Sequence, residues 1–342
     1  MREVEEPDLY DIFNNLISRK NIDINSYFPN NNFNFTNSGK GALSLILSYL
    51  RKSSVISDKT YELIVPEWIG YWVYNQVNQY AFPSKSITSK SRAILVYHQY
   101  GFPQDMNKII EAADKYNLTI IEDCAHALDS KYNGKQLGSF GDFTIYSFSK
   151  FFFCLALGGV GYKDNIGFER HIKTQIQNDS ILMRFFINAT KMIHEYSLDS
   201  KNKLFQRSSN NFLNMAYSLY GYSYKHSKVS ENIFKSKIDN EIKIRKGRYK
   251  YFLNKMATKG ICEHLEDDDI APYVIPIKLK ESDGTRVLNK LLECGFRTGI
   301  YKFDMNRFLL EPKFESVLWI LCHGGISDIM FENQIEILLE NI

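Results

Sequence analysis

The sequence predicts an α/β protein with a mostly parallel central sheet flanked by helices and a small α+β unit at its C-terminal end. Three observations predict it. Apolar strands and an amphipathic helix alternate between residues 93 and 123, a helical and polar stretch runs from about 165 to 235, and the tail mixes one strand with two amphipathic helices. Strand, helix and strand in close succession make a βαβ unit, whose crossover sets the two strands parallel.

In chain order, Asn37 and Ser38 open the apolar run ALSLILSYL, as small polar residues open a helix, and YELIVP supplies a strand. AILVYH is the next strand. PQDMNKIIEAADKYN then carries Met106, Ile109, Ile110 and Ala113 at helical spacing, and LTIIED returns as a strand. DFTIYSF alternates as a strand, and GGVGY is another, entered through a glycine turn. The basic helix KIDNEIKIRKGRYKYFLNKM leads into a second domain, with YVIPIKL as a strand and RVLNKLLECG and FENQIEILLENI as helices. The expected division is a large α/β domain over 1–240 and a small α+β domain over 241–342.

A chain of 342 residues, 44% hydrophobic and 24% charged, is long enough for one large core and a smaller one. Its 42 basic and 39 acidic residues leave a net charge of +3 without a block of like charge, so no nucleic-acid partner is expected. The most apolar stretch, 151–161, is too short to span a bilayer, and MREVEEPDLY lacks a basic region followed by an apolar one. No membrane contact and a cytoplasmic location are expected. Five scattered cysteines with no Cys-x-x-Cys pair fit a reducing compartment and no metal site.

In open α/β sheets ligands settle beyond the carboxyl ends of the strands, which singles out His98, Asp123, Ser147 and Lys150. Asp123 either caps a following helix or faces the ring nitrogen of a pyridinium cofactor. Lys150 stands between a strand and the apolar run FFFCLALGG. It is either a salt-bridged lysine or a buried amine, whose neutral form attacks an aldehyde. TNSGKGAL places Gly39, Lys40 and Gly41 at a helix start, where free N–H groups favour a phosphate, or simply marks a turn. It is not a P-loop, because Asn34 and Gly41 stand where that motif needs a glycine and a hydroxyl.

Taken together, NSGKGAL, VPEWIG, VYHQYGFP, IEDCAHAL, GSFGDFTIYSFSK and LGGVGY resemble, in order, the DegT-type sugar aminotransferases, which have the type I fold of pyridoxal-phosphate-dependent transferases. The resemblance runs from about Phe33 to Asp164, resumes at YGYSYKHS and returns at WILCHGGIS. It implies that the large domain binds pyridoxal 5′-phosphate and that Lys150 is the catalytic Schiff-base lysine, eight residues before the Gly158-Gly159 pair. It further implies Asp123 at the pyridine nitrogen, and Ser147 with the backbone of Lys40 and Gly41 at the phosphate. His126 stands where many members have a glutamine near the phenolic oxygen. Substrates implied are an amino donor, glutamate, and a nucleotide-linked keto sugar for surface polysaccharide, contacted by His98 and His323, in a homodimer with a shared site.

The chain also departs from the family. Ser223, Tyr224 and Lys225 replace the Asn-Tyr-Arg that reaches the neighbouring subunit, Leu157 replaces an acid, and Gly70 occupies the place of the aromatic that stacks on the cofactor, leaving Trp68 or Tyr71, with Tyr71 preferred. These departures keep open a homologue with lost activity. A sugar dehydratase of this family carries histidine in place of the lysine, and Lys150 argues against it.

Overall fold

The computed structural model describes residues 4–5, 9–17, 24–28, 32–177, 181–198, 200–220, 224–257, 264–265 and 269–342. The first half contains α1 (Leu9–Ile17), β1 (Asn32–Thr36), α2 (Gly39–Lys52), β2 (Glu62–Ile64), α3 (Tyr71–Tyr80), β3 (Phe82–Ser84), β4 (Ser91–Tyr97), α4 (Met106–Tyr116) and β5 (Thr119–Asp123). A small hairpin, β6 (Lys131–Tyr132) and β7 (Lys135–Gln136), precedes β8 (Phe143–Ser147) and β9 (Gly158–Tyr162). Next come α5 (Ile166–Gln177), α6 (Ile181–Leu198), α7 (Lys203–Tyr220) and α8 (Lys228–Met256). The tail holds β10 (Ile275–Ile277), α9 (Glu281–Glu293), β11 (Ile300–Asp304), β12 (Phe314–Ile320) and α10 (Asp328–Glu340).

The seven-stranded sheet has the order β1-β9-β8-β5-β4-β2-β3. Strands β8, β5, β4, β2 and β3 run parallel, whereas β9 is antiparallel to both of its neighbours, β8 and β1. The sheet is therefore mostly parallel, as the alternating pattern predicts, with an antiparallel flank where the glycine strand inserts. Successive strand residues point to opposite faces. Leu63, Leu95 and Ile121 pack with Leu43, Leu47 and Phe168 from α2 and α5, while Ile64, Ile94, Val96 and Ile120 pack with Met106 and Ile109 from α4. Burial on both faces is why these strands read as continuous apolar runs.

The helices begin where the capping signals stand. Ser38 accepts a hydrogen bond from the Gly41 amide at 3.0 Å, Asp105 from the Lys108 amide at 3.2 Å, and Ser327 from the Met330 amide at 3.2 Å. The boundary expected after residue 240 falls inside α8, a continuous helix of 29 residues. Beyond that helix a three-stranded antiparallel sheet, β10-β12-β11, carries α9 and α10. No described helix is long and apolar enough to cross a membrane.

One buried carboxylate organises the centre of the large sheet. Glu122 is fully buried on β5 and accepts hydrogen bonds from the amides of Gly138 (2.8 Å), Phe140 (2.7 Å) and Gly141 (2.6 Å), with His98 Nε2 at 3.1 Å. His98, Glu122 and Cys124 lie close enough together to suggest a metal, but those four bonds already occupy the carboxylate. Gly138 has φ +92° and a Cβ there would stand 2.3 Å from the Tyr146 hydroxyl, so only glycine fits the loop that Glu122 gathers. Glu122→Ala would orphan three amides, two of them buried, and guanidinium denaturation is expected to show a loss of roughly 3–5 kcal/mol. A loss below about 1 kcal/mol would refute this bracing role.

Candidate active site

The carboxyl ends of β5 and β8 and the N-terminus of α2 converge on a cavity of about 260 Å³. It is lined by Ser38, Gly39, Lys40, Asp123, Ser147 and Lys150, with Trp72 from α3 and Lys191 from α6 on its outer side. This size lies just below that of ordinary small-molecule pockets, about 300 Å³ and above, which suits a compact ligand.

Glycine makes the convergence possible. A Cβ on Gly158 would stand 2.3 Å from the Ser38 carbonyl carbon, and one on Gly39 would stand 3.1 Å from Ser147 Cβ. The start of α2 therefore lies directly on β9 and β8, its free amides and positive dipole end turned to the cavity. Three lysines and one aspartate line the same space, and with Lys191 paired to Glu195 the two remaining lysines against Asp123 favour an anion.

Asp123 is nearly buried and its carboxylate accepts from the Ala125 amide at 2.9 Å. Burial pushes its pKa up, against the pull of Lys150, the Ala125 amide and His98. A cationic group placed in the cavity would favour its ionised form. Lys40 sits with its Nζ 4.4 Å from the Trp72 ring centroid. Burial, and then repulsion from Lys150, lowers its pKa to about 7.

Lys150 ends a short 3-10 turn after β8, and its Nζ lies 3.0 Å from His126 Nε2. The other ring nitrogen, Nδ1, lies 2.6 Å from the Tyr97 hydroxyl, and the ring stacks on Tyr273 with centroids 4.1 Å apart. Burial above all, then the charges of Lys150 and Arg245, holds His126 well below the ordinary histidine pKa, so the ring is neutral. Arg245 on α8 is fully buried. It donates to the carbonyls of Phe151 (3.0 Å), Pro272 (2.9 Å) and Tyr273 (2.7 Å) and pairs with Glu241 at 2.6 Å.

Of the residues singled out from the sequence, Lys40, Asp123, Ser147 and Lys150 line the cavity, and His126 touches Lys150. Gly41 lies one residue beyond the lining, where its amide is taken by Ser38 Oγ. Tyr71 does not line it. It is 69% exposed at the first position of α3, and the neighbouring Trp72 faces the cavity in its place, because a one-residue step on a helix turns a side chain by about 100°. His98 and His323 are also absent from the lining. His98 is fully buried between Glu122 and the Gln104 amide (3.2 Å), and His323 Nδ1 accepts from the Gly325 amide at 3.1 Å, so both are structural hydrogen bonders here. Ser223 lies outside the described residues. Beside it, the carbonyl of buried Tyr224 accepts from the Asn37 amide at 3.2 Å, next to the start of α2 in the same chain. Sequence reasoning missed Trp72, Lys191, Tyr97 and Arg245. Tyr97 alone carried a signal, as the last residue of an apolar strand.

The depressed Lys40 pKa has a consequence for anions. An anion favours the ammonium form, so binding should strengthen as pH falls through about 7. Sulfate, which does not titrate in this range, is expected to bind roughly tenfold more tightly at about pH 6 than at about pH 8.5, by calorimetry. Lys40→Met should flatten the profile to about twofold, and since Asp123 remains in both proteins the difference reports Lys40. Equal slopes would refute the assignment.

The model of the DegT/DnrJ/EryC1/StrS aminotransferase family matches residues 83–307. GDP-perosamine synthase of Escherichia coli is 52% identical over 64 residues, 19% of this chain and 18% of that protein. The dTDP-3-amino-3,6-dideoxy-alpha-D-galactopyranose transaminase of Aneurinibacillus thermoaerophilus shows the same identity over the same shares. The matched stretch thus covers less than a fifth of these relatives. Over nearly the whole chain the fold is that of solved structures. A putative sugar aminotransferase of Streptococcus pneumoniae in its PMP form aligns with TM-score 0.65 and 16% identity, covering 98% of this chain and 97% of that one. Helicobacter pylori PseC, an aminotransferase involved in the biosynthesis of pseudoaminic acid, aligns with TM-score 0.65 and 14% identity, covering 98% of each. With its strand order, its lysine after β8 and a family match over about two thirds of its length, the chain belongs to the DegT/DnrJ/EryC1/StrS aminotransferase family.

Proposed function

We propose that the chain is a pyridoxal-phosphate-dependent aminotransferase that moves an amino group from glutamate to a keto sugar, nucleotide-linked, for surface polysaccharide or glycan biosynthesis. The carrying observation is the convergence of the Lys150 amine, the buried Asp123 carboxylate and the α2 N-terminus on one small basic cavity. These groups fit the cofactor's chemistry. Ser38, Gly39, Lys40 and Ser147 would hold its phosphate, Asp123 its protonated ring nitrogen, and Trp72 is placed to supply an aromatic contact. When bound, the cofactor supplies an electron-accepting ring and an aldehyde carbon that a lysine amine can occupy.

Lys150 Nζ is the nucleophile and afterwards the base that takes and returns the proton at the amino donor's α-carbon. His126, neutral and fixed between Tyr97 and the Tyr273 ring, sets the direction from which that nitrogen works. Asp123 keeps a positive charge stable in a space from which Leu43, Val73 and Ile145 exclude water. Trp68, Tyr71 and Tyr74 are exposed near the Trp72 side of the cavity, and a second copy of the chain in a homodimer with a shared site is their fitting cover. The free buried cysteines 124, 154 and 322 fit a cytoplasmic location.

Cofactor-free protein mixed with pyridoxal phosphate is expected to gain a visible absorption band, which borohydride fixes onto the Lys150 peptide and which glutamate discharges. Lys150→Ala should show neither. Absence of the band in the wild type, or its undiminished presence in the variant, would overturn the assignment. Nucleotide-linked keto sugars are then expected to restore the band after glutamate, read by the same absorbance.

A further inference from the structure

Behind Lys150, the cavity continues as a line of hydrogen bonds into the protein interior. Lys150 Nζ is 3.0 Å from His126 Nε2, and His126 Nδ1 is 2.6 Å from the Tyr97 hydroxyl. Burial keeps Tyr97 protonated, and burial with the Lys150 and Arg245 charges keeps His126 neutral. A neutral imidazole has one N–H, so its two nitrogens play opposite roles and only two arrangements exist.

In the first, a Lys150 ammonium donates to Nε2, and Nδ1–H donates to the Tyr97 oxygen. In the second, Tyr97 O–H donates to Nδ1, and Nε2–H donates to the lone pair of a neutral Lys150 amine. The Tyr100 backbone N–H also faces the Tyr97 oxygen. The first arrangement would therefore load that oxygen with two donors and leave its own hydrogen without an acceptor among the described residues, in a half-buried place where an unmade bond is costly. Among the described residues the hydroxyl pairs with His126. The second arrangement gives the Tyr97 hydrogen and both ring nitrogens a partner.

We propose that Tyr97, acting through the fixed tautomer of His126, holds the Lys150 amine in its free-base, nucleophilic form. The inference rests on the reading of Lys150 as the reacting amine, and it makes Tyr97 a positioning residue. The surrounding charges leave room for such a device. Asp123 on β5 favours the ammonium. Lys40 on α2 opposes it, Lys191 on α6 is neutralised by Glu195 on the same helix, and Arg245 on α8 opposes charge on His126, whose other face is covered by the uncharged Tyr273 ring.

The test is the pH profile of Lys150 itself in the cofactor-free full-length chain. Trace acetylation with acetic anhydride at a series of pH values, read by peptide mass spectrometry, gives the midpoint of each lysine. Tyr97→Phe removes one oxygen and keeps the ring. It is expected to raise the Lys150 midpoint by about one pH unit, a tenfold loss of free amine at neutral pH, while Lys40 moves by less than about 0.3 unit. His126→Gln has no imidazole tautomer for Tyr97 to set, so adding Tyr97→Phe to it should produce no further shift. A Lys150 midpoint within about 0.3 unit of wild type in Tyr97→Phe, or an equal shift in the His126→Gln background, would overturn the proposal. A shift without any cofactor band upholds the hydrogen-bond line and fails the activity. A band with an unshifted midpoint does the reverse.

Discussion

The structure depends on a guanidinium that has no access to water. Arg245 is fully buried in α8, and such a charge is tolerated only where it is paired and hydrogen-bonded. Glu241 one turn earlier neutralises it, and the carbonyls of Phe151, Pro272 and Tyr273 take its remaining bonds. Those three carbonyls belong to the segment after Lys150 and to the strand approach of the C-terminal unit. Glu241 also accepts from the Gly324 amide at 3.1 Å, next to the tail motif. One side chain thus fixes the lysine loop, the long helix and the small sheet relative to one another.

That arrangement bears directly on the chemistry. The carbonyl of Tyr273 is held by Arg245, its amide donates to the Tyr100 carbonyl at 2.8 Å, and its ring covers His126. Tyr100 adopts φ 57°, a left-handed conformation that costs a non-glycine residue about 1–2 kcal/mol. Its hydroxyl, bonded to the Lys302 carbonyl at 2.8 Å, anchors the turn that carries Tyr97 into place. The C-terminal unit is therefore a clamp on the back of the lysine site, in addition to any contact with substrate. Glu122 does the equivalent work from beneath the sheet, through the amides of 138–141.

Much of this was legible in the sequence. Strands β2, β4, β5, β8, β9 and β10 and helices α2, α4, α8, α9 and α10 fall where apolar period and capping residues put them, and Lys150, Asp123, Lys40 and Ser147 do share one cavity. Strands β3, β11 and β12 were not legible. β3 has three residues, and β12 draws its register from pairing with β10 and β11, information that lies elsewhere in the chain. The two histidines at motif positions looked like substrate contacts because a histidine's role is set by what its ring nitrogens meet, and Glu122, 24 residues from His98, is invisible to a local reading. Tyr71 stands outside the lining for a geometric reason, since helix phase decides which of two adjacent aromatics faces inward. The division expected at 240 falls within α8, which runs unbroken from Lys228 to Met256.

The departures from the family pattern acquire a common sense in the assembled site. Where a relative would bring a cation from the neighbouring subunit, this chain carries Ser223, Tyr224 and Lys225, yet it has placed Lys40 at the α2 start and Lys191 on α6, both lining the cavity. Burial first and then the Lys150 charge lower the pKa of Lys40, while Lys191 is paired with Glu195. Without an anion the site is under electrostatic tension, and a phosphate relieves it by drawing a proton onto Lys40. The Lys40 charge in turn opposes charge on Lys150, so a group proposed to fasten the phosphate also bears on the amine proposed to react. Anion binding and the proposed reactivity in this cavity then draw on one charge distribution, with Asp123 set against Lys40 and Lys150 and Glu195 set against Lys191.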